Sequence, residues 1–289
     1  MSPAASAWEH ARGTIDCSRG RLVGVVNANP DSFSDGGAHA GTERAVAHGR
    51  RLAAEGADVV EVGGESLRFA EPTPADVEIA RVAPVVERLA AELDVPVAVD
   101  TFKPAVAEAA IAAGAAILND PTGLRDPAMA AVAAAGRVGV VLTHFFGSPK
   151  VRPASFPDVD VPATVAAWAR GALAAAGEAG IPAGRIVIDP GVGLGKSPAQ
   201  DLDLLHRIDE VVALGRPVLV PISNKKVLGA LTGRAPAERL AGTAAGMVWC
   251  RARGATVFRV HEVGFLRDAL RVADALATGV AERWYDVLK

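Results

Sequence analysis

Apolar residues along the chain gather into short runs, separated by longer segments in which Ala and Leu mix with Glu and Arg. One punctuation recurs: a segment of helical character ends at glycine, and a short apolar run starts within a few residues. It appears at Gly56 before DVVEV, Gly114 before AILND, Gly136 before VGVVLT, Gly180 before RIVID, Gly215 before PVLVPI and Gly254 before TVFRV. Glycine just past a helix end supplies the left-handed cap that turns the chain back. With Leu22–Val26 and Val97–Val99 the pattern predicts eight strands, and the continuous apolar runs suit parallel strands covered by helices on both faces. Thr73-Pro74 reads as an N-cap and first helical residue before a helix over Ala75–Leu93.

Strand and helix alternate to the end with no break for a second domain. Eight such units predict an α/β fold, a single (β/α)8 TIM barrel with right-handed crossovers. An open Rossmann-like sheet is the alternative, and the lack of G-x-G-x-x-G after the first strand weighs against it. Residues 1–20 read as an N-terminal extension, 21–280 as the barrel and 281–289 as a C-terminal tail.

Composition narrows the function. Half of the 289 residues are hydrophobic but only 4% aromatic, so the core must be Val, Leu, Ile and Ala. A net charge of -3 offers no basic footprint for nucleic acid. Cys17 and Cys250 lie far apart without metal spacing, which fits a reducing, cytoplasmic setting. Met1–Gly13 has no apolar signal-peptide core, and no apolar run approaches the roughly 18 residues of a membrane span.

In such barrels chemistry sits at the C-terminal strand ends. Here the tips are Asn27, Glu61 through Gly63-Gly64-Glu65, Asp100-Thr101, Asn119-Asp120, Thr143-His144, Asp189-Pro190-Gly191, Ser223-Asn224-Lys225 and Arg259-Val260-His261. Taken singly, each has an ordinary reading. Asp100 before Pro104 resembles a helix cap, and a lone His144 resembles a hydrogen-bonded core residue. Eight coincident polar tips favour a site. Asp100, Asn119 and Asp189 form an acceptor set for a flat heterocycle rich in N–H donors. Lys225, Arg259 and His261 come from the last two strands, where barrels often hold phosphate. A divalent ion on Asn27 and phosphate oxygens would suit Mg2+ chemistry. Gly191–Ser197 looks like a phosphate loop but has Pro190 where its first glycine belongs. A Schiff-base role for Lys225 would leave the Asp and Asn set unexplained.

These tips, in this order, resemble the dihydropteroate synthase family. The resemblance rests on Asn27-Ala28-Asn29-Pro30-Asp31-Ser32-Phe33-Ser34-Asp35-Gly36-Gly37, Gly63-Gly64-Glu65-Ser66 with Arg68, Val99-Asp100-Thr101, Asn119-Asp120, Asp189-Pro190-Gly191, Ser223 with Lys225, and Arg259-Val260-His261. It implies condensation of 7,8-dihydropterin-6-methyl diphosphate with p-aminobenzoate to give 7,8-dihydropteroate and diphosphate. It assigns the pterin to Asp100, Asn119, Asp189 and Lys225, and the diphosphate to Asn27, Arg68, Arg259 and His261, with Mg2+ on Asn27. Catalysis would fall to Asn27, Asp31, Lys225, Arg259 and His261. The p-aminobenzoate side would hold Phe33, Leu67, Arg68, Ser223 and Asn224, with loops Asn29–His39 and Gly64–Pro74 closing over the site. It also implies a homodimer through the last helices, with which the apolar stretch Ala241–Cys250 is compatible.

Departures from the family pattern gather on the second-substrate side. Leu67 stands where Thr is usual, Phe69 where Pro is usual, and Pro221-Ile222-Ser223-Asn224-Lys225 where the pattern is Gly-x-Ser-Arg-Lys. Asn29, Leu194, Thr143 and Phe145 are lesser differences. Each lost donor weakens p-aminobenzoate recognition by roughly 1–3 kcal/mol if uncompensated. A pterin-diphosphate-binding paralogue with lost or altered p-aminobenzoate use is therefore the competing expectation; Asn224 with Glu262 is similar to divergent second copies in some actinobacteria. A related barrel that transfers a methyl group from methyltetrahydrofolate is a third, with no need for Arg259 and His261 together.

Overall fold

In the computed structural model residues 6–28, 37–67, 71–151 and 156–279 are described, residues 37–40 by their backbone alone. Two strands, β1 (Ala7–His10) and β2 (Gly13–Asp16), pair as an antiparallel hairpin. Eight parallel strands follow: β3 (Arg21–Asn27), β4 (Val59–Gly63), β5 (Val97–Asp100), β6 (Ile117–Asp120), β7 (Gly139–Thr143), β8 (Ile186–Asp189), β9 (Leu219–Val220) and β10 (Val257–Val260). The last strand, β10, pairs with the first of the eight, β3, and Ile188 bridges to Val218. Those two contacts close the ring, as a barrel requires and an open sheet forbids. β9 is short because Pro217 and Pro221 flank it and offer no N–H to a ladder; the Pro217 carbonyl still accepts from Ile188 N at 3.0 Å.

Helices cover the outside: α1 (Gly37–Ala54), α2 (Ala75–Glu92), α3 (Pro104–Ala112), α4 (Pro127–Gly136), α5 (Val161–Glu178), α6 (Pro198–His206), α7 (Asp209–Val212), α8 (Lys226–Thr232), α9 (Leu240–Ala252) and α10 (Val263–Thr278). Gly56, Gly114, Gly180, Gly215 and Gly254 take the expected positive φ, but after α4 the left-handed residue is Arg137, not Gly136. Gly136 is needed for another reason: a Cβ there would meet Ile111 of α3 at 3.0 Å. Thr73 does not cap α2, whose N-cap is Pro74 without a side-chain bond. Its backbone instead joins two neighbours, as described below.

The hairpin seals the base of the barrel. Trp8, Ile15 and Cys17 form one cluster with the inward residues Val23, Val59, Ala98, Ile117, Val141, Val187, Leu219 and Val257. Trp8 is 1% exposed, and its indole N–H donates to the Arg185 carbonyl at 3.0 Å. Gly139 lets the hairpin approach, since a Cβ there would lie 2.9 Å from Trp8 Nε1. Trp8→Ala is expected to lower stability by about 3–5 kcal/mol in denaturant melts, the usual cost of a large void plus an unpaired carbonyl. A change below 1 kcal/mol would show that the hairpin is not part of the core.

Candidate active site

Strand side chains alternate, so the residues two positions beyond the apolar base layer also point inward. They are Val25, Glu61, Asp100, Asn119, Thr143, Asp189, Pro221 and Arg259. The barrel interior thus changes from wholly apolar to mostly polar in one step. Asp100, Asn119, Asp189 and Arg259 were expected at the site, and this single layer holds all four. Parallel register sets Gly63, Asp100 and Asn119 side by side, and Thr143 beside Asp189.

Hydrogen bonds join the layer into a relay. Arg259 donates through Nε to Glu61 Oε1 at 2.6 Å and through Nη2 to Asp100 Oδ2 at 2.7 Å, with Nη2 also in ion-pair contact with Glu61 Oε1 at 2.5 Å. The other Glu61 oxygen accepts from Asn119 Nδ2 at 3.0 Å, and Asn119 Oδ1 accepts from Thr143 Oγ1 at 3.3 Å. Asp100 is therefore no helix cap; the N-cap of α3 is Lys103. Burial pushes the Asp100 carboxyl up to about 7, against the opposing pull of Arg259. Asp120, next to Asn119, points away and is spent on a turn, accepting from Thr122 N and Leu124 N at 2.8 Å.

Past β8 the chain turns through three left-handed glycines. Asp189 Oδ1 accepts from Gly191 N at 2.7 Å, and burial raises its carboxyl to about 6. Gly191 touches the His144 carbonyl so closely that a Cβ would sit 1.7 Å from its oxygen. Gly193 forms a shelf for Lys225, whose Nζ lies 3.4 Å from where a Cβ would be. Asp201 holds the shelf by accepting from Gly193 N at 2.8 Å. Lys196 is buried, donates to the Gly191 carbonyl at 2.8 Å and meets His144 Nδ1 at 3.0 Å. Burial lowers Lys196 to about 8 and His144 to about 3, so His144 is a neutral acceptor. Ser197 caps α6 in a capping box with Gln200. The phosphate-loop likeness of Gly191–Ser197 is thus a structural clamp, and His144 belongs to it.

Ser223, Asn224 and Lys225 follow β9. Burial lowers Lys225, with Asp189 pulling the other way. Ser223 Oγ lies 2.8 Å from His261 Nδ1 and accepts from His261 N at 3.4 Å. With Ser223 donating to Nδ1, the ring proton resides on Nε2. Burial and the nearby Arg259 and Lys225 lower His261, which keeps it neutral. Asn224 has φ +57°, a left-handed conformation that Asn tolerates better than Arg. Arg239 Nη1 fixes this turn by donating to the Asn224 carbonyl at 2.9 Å.

Asn27 ends β3 and is exposed, and Leu67 is half-buried at the edge of the second loop. The loop expected over Asn29–His39 gives way to α1 at Gly37. Asp31, Phe33, Arg68 and Phe69 lie outside the described residues. The loop after β4 is anchored by Glu65, which accepts from Thr73 N at 2.6 Å and pairs with Lys103 at 2.5 Å and Lys150 at 2.9 Å. Burial would raise Glu65, but these donors outweigh it and hold the carboxyl at about 2. Lys103 also binds Glu78 and the Thr73 carbonyl, both at 2.6 Å.

Sequence reasoning had Glu61 on the second strand and Thr143 at the fifth tip but gave neither a role at the site, and it missed the Lys103–Glu65–Glu78 network. Glu61 carried a readable signal. A charge inside the run VVEVG contradicts a strand buried on both faces unless it faces a polar interior.

Comparison with known proteins agrees with the geometry. Residues 23–261 match the family model described as pterin binding enzyme. The chain is 36% identical over 278 residues to the dihydropteroate synthase of Escherichia coli K12, covering 96% of this chain and 99% of that one. It is 44% identical over 254 residues to a probable bifunctional folylpolyglutamate synthase/dihydropteroate synthase of Haloferax volcanii, covering 87% of this chain. It spans only 30% of that longer protein. The dihydropteroate synthase of Xanthomonas albilineans, solved with 4-aminobenzoic acid, superposes with a TM-score of 0.87 at 44% identity, covering 94% of this chain and 98% of that one. The same enzyme has been solved with 7,8-dihydropteroate, with a TM-score of 0.84 at 41% identity, covering 95% of this chain and 99% of that one. The chain belongs to the pterin-binding enzyme family, among its dihydropteroate synthases.

Proposed function

We propose that the chain joins 7,8-dihydropterin-6-methyl diphosphate to p-aminobenzoate, releasing diphosphate and forming 7,8-dihydropteroate. The observation that carries the reading is the polar inward layer of Asp100, Asn119, Asp189 and Arg259 beneath Lys225 and His261. Asp100, Asn119 and Asp189 offer acceptors to the amino-pyrimidine edge of the pterin, and Lys225 offers a donor. Arg259 and the Nε2 proton of His261 face the diphosphate. As the C–O bond breaks, its electron pair leaves with diphosphate, and these donors stabilise that charge. The aniline nitrogen's lone pair then forms the C–N bond and the nitrogen loses a proton. Leu67, Ser223 and Asn224 line the side where p-aminobenzoate would sit, with Phe33 and Arg68 proposed beside them and Asp31 beside the diphosphate.

Asn27 is exposed, and its amide oxygen is a hard, neutral ligand of the type Mg2+ accepts alongside retained waters and phosphate oxygens. Asn27 would hold Mg2+, which when bound draws charge from the leaving diphosphate. Exposed Trp249, Phe265 and Val272 on α9 and α10 support a homodimer through these helices. Among the described residues no helix is long and apolar enough to cross a membrane. Both thiols are buried and pushed up to about 12, which suits a chain at home in the cytoplasm.

Incubation with the pterin diphosphate, Mg2+ and labelled p-aminobenzoate tests the reading, and labelled pteroate is expected. Pterin binding by calorimetry without pteroate would establish instead the paralogue that no longer uses p-aminobenzoate. Leu67 and the left-handed Asn224 are the observations that favour that second reading.

A further inference from the structure

We propose that Glu61 is a positioning residue that orients both Asn119 and Arg259 for the pterin diphosphate. The inference rests on the reading just given and deepens it. Glu61 is 1% exposed and sits in the middle of β4, where an unpaired carboxylate would be strongly unfavourable. Its partners account for it. One oxygen accepts from Arg259 Nε and is ion-paired with its Nη2, and the other accepts from Asn119.

Each bond has a consequence for the ligand. An ionised carboxylate only accepts, so Asn119 must turn its NH2 toward Glu61 and its oxygen toward the Thr143 hydroxyl, 3.3 Å away. That fixes the amide, which then offers one N–H and one lone pair to an incoming ring, in a set order. A pterin's pyrimidine edge alternates donors and acceptors, and an amide free to flip would match it only part of the time. Arg259, meanwhile, is shared between two carboxylates. Nε and Nη2 lie against Glu61, and Nη2 alone reaches Asp100 Oδ2. Without Glu61 the guanidinium would be free to fork onto both oxygens of Asp100, the arrangement it prefers with a single carboxylate. Both Asp100 oxygens would then be shared with the cation, leaving weaker and differently directed lone pairs for the pterin, and the Nη1 edge would turn away from the diphosphate. Glu61 keeps the cation in place while leaving an acceptor available.

The test compares Glu61→Gln with Glu61→Asp. By calorimetry, affinity for 7,8-dihydropterin-6-methyl diphosphate should fall about 30-fold in Glu61→Gln, the scale of a lost charge-assisted bond. Glu61→Asp keeps the charge and should stay within about 5-fold of the wild type, since the long Arg259 side chain can follow it. In an Asn119→Ala background, adding Glu61→Gln should cost less than in the wild type, about 5-fold, because the share of the loss that runs through Asn119 is already gone and only the Arg259 share remains. In turnover the KM for the pterin diphosphate should rise while the KM for p-aminobenzoate stays within about 2-fold, a split that general loosening of the fold would not give. An affinity of Glu61→Gln within about 3-fold of wild type, or full multiplicative losses with Asn119→Ala, overturns the proposal. Equal loss in Glu61→Asp and Glu61→Gln does so as well. Pteroate formation is scored apart: a wild type that binds pterin but makes none sinks the synthase reading and leaves the Glu61 comparison decisive. A wild type that binds no pterin overturns both.

Discussion

Arg259→Met should reduce turnover by roughly 10³-fold and destabilise the fold by about 3 kcal/mol in the same substitution. The two losses have separate causes. Arg259 joins Glu61 and Asp100, whose side chains are 1% and 17% exposed. Methionine fills similar volume but leaves both carboxylates without their cation, and an uncompensated buried charge typically costs about 3–5 kcal/mol. A partial offset comes from Asp100, already pushed up to about 7 by burial, which will take up a proton once the guanidinium is gone. The rate loss follows from removing the strongest donor facing the departing diphosphate. Arg259→Lys separates the two. A single ammonium restores charge but cannot span both carboxylates as the planar fork does, so stability should recover more than turnover. Chemical melts and steady-state rates on the two variants read this directly. Equal recovery of both quantities would show that Arg259 acts through the fold alone.

The barrel was legible in the chain because its eight strand runs are continuous and its helix ends are marked by glycine. Two features that make the barrel work were not. The hairpin at residues 7–16 has strands of four residues, too short for an alternating pattern to stand out, and Trp8 acquires meaning only when it meets Gly139. The register between strands was also hidden. Asp100, Asn119, Asp189 and Arg259 were recognisable as strand tips, yet their common layer depends on pairings such as Asp100 with Asn119. Glu61 was given no role because it lies inside its strand and not at the tip. Arg259 reaches back to it from a strand nearly 200 residues later (198 positions apart), a contact no local pattern encodes. Lys196 is the opposite case, a likeness that Pro190 already ruled out in the sequence. Its glycine-rich surroundings resemble a phosphate loop, while in the fold those glycines serve close backbone contact with His144 and Phe146.

Asp189 shows how much stability the site gives up for its chemistry. Burial raises its carboxyl to about 6, above the ordinary 3.8, so the folded state holds its proton more tightly than the unfolded chain does. The associated stability is complete below pH 3.8 and is lost as pH rises through about 6. Asp189→Asn carries no such loss, and its amide oxygen can still accept from Gly191 N. Above pH 7 the variant should therefore be more stable than the wild type by about 2 kcal/mol, or roughly 5 °C in thermal midpoint. At pH 4 the two should melt together. Pterin affinity should move the other way. The side-chain NH2 would face ring N–H donors, and loss of a buried ionic acceptor should weaken binding by roughly 10²-fold or more. Wild-type affinity should fall as pH drops through about 6, where Asp189 gains its proton, while the variant's remains flat across that window. Calorimetric titrations from pH 5 to 8, beside melts in the same buffers, separate the two curves. A variant that loses binding without gaining stability at neutral pH would mean that Lys225 and Arg259 already hold the carboxylate ionised at no cost to the fold.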